Sequence, residues 1–80
     1  MTKLINISDL SKLLNLVNKE NKPKNYILRF WEKEFKQIKP KILNGNRRYY
    51  DEKNIKILKK IHFLLKEQGM TVNGVKKLLN

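Results

Sequence analysis

The chain predicts a mainly α fold with a small β-hairpin, in which four helices and a two-stranded wing share one domain spanning residues 1 to 80. Three observations carry that expectation. Apolar residues recur at helical spacing in four separate stretches. The break between the second and third stretches holds an Asn-Gly dipeptide between the runs KPKIL and NRRYY. Eighty residues with 40% hydrophobic content suffice for one core and no second domain.

Helix one follows from Ser8, a residue able to cap, and from Leu10, Leu13, Leu14 and Val17, which fall on one face. Residues 18 to 25, NKENKPKN, are polar, contain Pro23 and lack apolar periodicity, so they form a turn. Helix two begins near Asn25. On a wheel, Ile27, Leu28, Trp31 and Phe35 share one arc, while Asn25, Arg29, Lys33 and Lys36 gather opposite. Trp31 sits in the middle of the packed arc and is expected in the core. Two short helices joined by a turn, over about residues 8 to 36, have the outline of a helix-turn-helix whose second member enters the major groove.

Pro40 discourages further helix, and Asn44-Gly45 suits the two positive φ angles of a tight turn, which places the wing at about 38 to 50. Because an isolated hairpin is only marginally stable, some of Ile38, Ile42, Tyr49 and Tyr50 must rest it on the helices. Helices three and four fill about 51 to 79. Asp51 caps the first of them, Glu52 complements its dipole and Gly69 ends it. Ile57, Leu58, Ile61, Leu64 and Leu65 form its apolar arc, Phe63 lies opposite, and Lys53, Lys56, Lys59 and Lys60 read as a solvated face. Thr71 caps helix four, with Val72, Val75, Leu78 and Leu79 at helical spacing.

Nineteen Lys and Arg against seven Asp and Glu give a formal net charge of +12. Such an excess costs self-repulsion that an anionic partner relieves, and phosphate backbones lead because cations displace condensed counterions there. From Lys36 through Tyr50 the chain holds five basic residues, Lys36, Lys39, Lys41, Arg47 and Arg48, and no acid. No cysteine and a single histidine, His62, leave almost no material for a metal or catalytic centre. No cofactor or enzymatic activity is expected, and His62 reads as a half-buried structural residue. No apolar run approaches the roughly 18 residues of a membrane span, and MTKLINISDL lacks a signal-peptide core, so a cytoplasmic protein is expected.

Three pieces in order resemble the DNA-binding domain of MerR-type transcription regulators: LRFWE at 28 to 32, NGNRRYYDEKNI at 44 to 55, and the Gly-x-Thr break at 69 to 71. The resemblance covers about residues 5 to 79. It implies a winged helix-turn-helix that binds double-stranded DNA, helix two in the major groove and the wing on backbone or minor groove. Carried over by position, Arg29 and Arg48 would hold phosphates, Tyr50 would take the family's wing aromatic position, and Asn25 and Tyr26 would face base edges. Lys24, Lys33, Lys36, Lys41 and Arg47 complete the expected DNA-facing set. Arg29 has a competing partner in Glu32 at i+3.

Family regulators usually continue into a dimerisation helix and an effector domain and bind pseudo-palindromes as dimers. The sequence given ends at Asn80, after helix four, so a homodimer would form through a region not included or through another surface, and no small-molecule effector site is expected in these residues. Two other readings compete: a MerR-like protein-interaction adapter of the chaperone-modulator type, and a nonspecific nucleic-acid-binding protein.

Overall fold

The structure, a computed structural model, describes residues 3 to 79. The order of elements is β1 (Ile5–Asn6), α1 (Ile7–Leu13), α2 (Asn25–Glu34), β2 (Lys41–Leu43), β3 (Arg47–Tyr50), α3 (Glu52–Lys66) and α4 (Val72–Leu79). Four helices stand as expected, but the wing has three strands rather than two. Antiparallel β1 pairs with the outer edge of β3, Ile5 opposite Tyr50 and Asn6 opposite Tyr49, giving the sheet order β1-β3-β2. Two residues are too few to show an alternating pattern, so nothing in the sequence marks β1 as a strand.

That strand also moves the start of α1. Asn6, extended at φ −76° and ψ 165°, is the cap in place of Ser8, its side-chain oxygen accepting the Asp9 N–H at 2.8 Å. The helix stops at Leu13, which is 56% exposed, because Asn15 takes a left-handed φ of 59° and swings the chain so that Leu16 enters the core. Leu13 therefore leaves the expected arc and Leu16 replaces it. The polar turn that follows is held by the Asn18 side chain, whose oxygen accepts the N–H groups of Glu20 and Lys22. Lys24 N–H then reaches the Leu16 carbonyl at 2.8 Å just before α2 begins.

One core joins the elements. Leu10, Leu14 and Leu16 meet Leu28, Trp31, Phe35 and Ile38, and Tyr50, Leu58, Ile61 and Val75 close it from the wing and the last two helices. Each such side chain contributes about 1.5–3 kcal/mol by leaving water. His62 packs at the rim, its ring centroid 6.0 Å from that of Trp31, and burial lowers its pKa by disfavouring the charged ring. Phe63 faces out, as its wheel position requires.

Ile38 and Tyr50 anchor the wing, whereas Ile42 stays half exposed on its outer side. The pairing of Leu43 with Arg47 leaves a three-residue loop, so the positive φ angles fall on Gly45 (72°) and Asn46 (58°), one position later than an Asn44-Gly45 turn would put them. Asp51 caps α3 by accepting the Asn54 N–H at 2.9 Å, which holds its carboxyl below the usual carboxylate range. Gly69 (φ 63°) turns the chain out of α3, and Thr71 caps α4 through the Gly74 N–H at 3.0 Å.

Candidate nucleic-acid interface

α2 places the candidate residues. Leu28 and Trp31 are the side chains it buries, and Phe35 follows them into the core just past its end, which turns Tyr26, Arg29, Phe30 and Lys33 outward. These four line a shallow depression together with Glu32 and, from β3, Arg48. Arg29 and Lys33 are exposed and form no ion pair with the described residues. Arg29 thus does not take the i+3 partner that spacing allows.

Glu32 belongs to Arg48 instead. The guanidinium donates from Nε to Oε1 at 2.9 Å and from Nη2 to Oε2 at 3.4 Å, a two-point clasp between α2 and the wing. This hydrogen bond, chiefly, raises the Arg48 pKa further. The clasp has two effects on the surface. It fixes the wing against α2, and it neutralises the acid in the depression, leaving Arg29 and Lys33 to set the local potential.

Two expected contact residues, Asn25 and Tyr50, are engaged or buried within the protein. Asn25 sits at the first turn of α2, but its amide is used within the protein: Nδ2 donates to Ser8 Oγ at 3.0 Å and Oδ1 accepts from Ser11 Oγ at 2.9 Å. It clips α2 to α1, with each end of the amide engaged in that joint. Tyr50, the last residue of β3, is 0% exposed, and its ring lies in the core. Tyr26, by contrast, is 68% exposed on the outer face.

The remaining basic residues lie on the neighbouring elements. Lys24 immediately precedes α2 and is partly covered. Lys41 starts β2 and Arg47 starts β3, both exposed. Arg47 and Arg48 diverge, as neighbours on a strand do, and only Arg48 lines the depression beside α2. Lys33 also borders a second hollow with Lys36 and Lys76, and Lys36 a third with Lys39, Lys53 and Asp51, so basic surface continues around the end of α2. Glu34 in the second hollow pairs with Lys76 at 3.5 Å.

Phe30 carries no charge and so has no assigned role in the sequence. It is 49% exposed between Tyr26 and Lys33, and its spacing of four from Tyr26 was the available signal. Asn54 likewise has no role legible in the sequence. Buried at the start of α3, it grips the connector after α2 by accepting the Lys39 N–H at 2.7 Å and donating to the Lys39 carbonyl at 3.0 Å.

Among the described residues no group of three or more His, Cys, Asp or Glu is placed to hold a metal, and no helix is long and apolar enough to cross a membrane. No match was found among curated proteins or among solved structures. A family model described as MerR HTH family regulatory protein matches residues 5–80, nearly the whole chain and every element above. The chain therefore belongs to the MerR family of helix-turn-helix regulatory proteins, DNA-binding regulators of transcription.

Proposed function

We propose that the protein binds duplex DNA as a transcription regulator with α2 in the major groove and the basic wing along the adjacent backbone. The observation that carries this reading is the outward face of α2, where Arg29 and Lys33 form no ion pair with the described residues while the neighbouring Glu32 is occupied by Arg48. A helix held behind a turn by α1 fits the groove, and unpaired cations beside it replace condensed counterions. Lys36, Lys41 and Arg47 add phosphate contacts around that helix. Arg48 acts through Glu32, removing a carboxylate that would otherwise repel the backbone. One module of this kind covers only about 600–1,000 Å², so tight and selective binding calls for two copies on a pseudo-palindromic site.

Fluorescence anisotropy with a labelled duplex at several salt concentrations tests the reading. Arg29→Ala and Lys33→Ala are each expected to weaken binding and to make the log-log salt slope shallower by about 0.9. Affinity and slope unchanged in both variants would reject it. A-form RNA should compete poorly, because its narrow major groove excludes α2.

A further inference from the structure

The chemistry left exposed on α2 restricts which bases it can read, a deduction that rests on the DNA reading above. Major-groove edges are recognised by a short menu: Asn or Gln for adenine, Asp or Glu for cytosine, Arg or Lys for guanine, and an apolar contact for the thymine methyl. Two of these are already engaged within the protein on α2. Both ends of the Asn25 amide are bonded to Ser8 and Ser11, and both oxygens of Glu32 to Arg48. The outward face is left with two cations and two aromatic rings, Phe30 and Tyr26, exposed by 49% and 68%.

An exposed phenylalanine between cations is costly in water and poorly matched to an apolar protein partner, which would have to desolvate Arg29 and Lys33 as well. The major groove offers a polyanionic surround for the cations and one kind of apolar group, the C5 methyl of thymine. We propose that Phe30, supported by Tyr26, is a specificity-determining residue that packs on thymine methyl groups, so that α2 selects thymine-containing steps.

The test removes the methyl and nothing else from the DNA. The probe is a thymine-rich duplex of about 20 base pairs, roughly two helical turns, compared with the same duplex carrying deoxyuridine at every thymine. The wild-type protein is expected to bind the deoxyuridine duplex more weakly, by about fourfold for each methyl buried. Phe30→Ala, a surface change, should bind the thymine duplex more weakly than wild type and no longer distinguish the two, and Phe30→Leu should restore part of the discrimination. Arg29→Ala should weaken both duplexes and leave their ratio in place.

Equal binding of both duplexes by the wild type overturns the proposal while leaving DNA binding intact. So does a methyl preference that persists in Phe30→Ala, since it would arise elsewhere. Equal affinity for the separated strands would make the rings stacking platforms and also overturn it. Failure to bind any duplex at low salt would remove the underlying DNA reading itself.

Discussion

Tyr50 carries the one described side-chain polar atom that is buried without a hydrogen-bond partner, its phenolic oxygen. Leaving such a group dry costs free energy, whereas a ring without it packs equally well. Tyr50→Phe is therefore expected to leave stability unchanged or to raise it by up to about 1 kcal/mol, read from urea denaturation. Burial also pushes the Tyr50 pKa up to about 12, with the nearby Glu32 charge adding to the effect. An unfolded tyrosine ionises near 10 while the folded one stays protonated, so this group's contribution is intact below pH 10 and lost as pH rises toward 12. Denaturation across that window should show a shallower alkaline decline in Tyr50→Phe than in wild type; identical slopes would place the ring in water. The sequence showed an aromatic pair at the end of the wing but not which ring turns inward, because a strand's faces are assigned only once its register is known. Asn25 illustrates the same limit. An asparagine opening a basic helix reads as a base contact, and its bond to Ser11 becomes legible only once that hydroxyl beside Leu10 is known to be buried and in need of a partner.

Helices α2, α3 and α4 were legible from spacing and caps, since Asp51, Gly69 and Thr71 act through local geometry that a sequence can specify. The joints between elements were not, because each pairs residues distant in the chain. Glu32 and Arg48 form one such joint, with both side chains 24% exposed. A double-mutant cycle with Glu32→Ala and Arg48→Ala should give a coupling of about 1 kcal/mol, the upper end for partly exposed pairs; zero coupling would make the clasp incidental to stability. Asn54 is the other joint. Asn54→Ala strips the partners from both backbone groups of Lys39 and should destabilise by about 1–3 kcal/mol. Hydrogen exchange at the Lys39 amide is the specific readout, and it should accelerate well beyond the change seen in α4.

At the scale of the whole molecule the charge dominates, and it was fully legible from composition. Eighty residues carrying +12 repel themselves when folded. Raising ionic strength from about 0.01 M to 0.15 M shortens the screening length from roughly 30 to 8 Å, against a molecule 34 Å in its longest dimension. The melting temperature should therefore rise over that range, most with sulfate or phosphate, even as DNA affinity falls. A melting temperature that falls instead would mean that ion pairs such as Arg48 with Glu32 outweigh the net repulsion. The small strand β1 has a consequence of another kind, in the order of assembly. Its partner residues, Tyr49 and Tyr50, are separated from it by the entire helix-turn-helix and the wing hairpin. Closing that long loop costs about 2 kcal/mol more entropy than closing the hairpin alone. On a chain made from its N-terminus, β1 is synthesised first yet waits unpaired until β3 exists, so the sheet is completed only after α2 and the wing strands have been made.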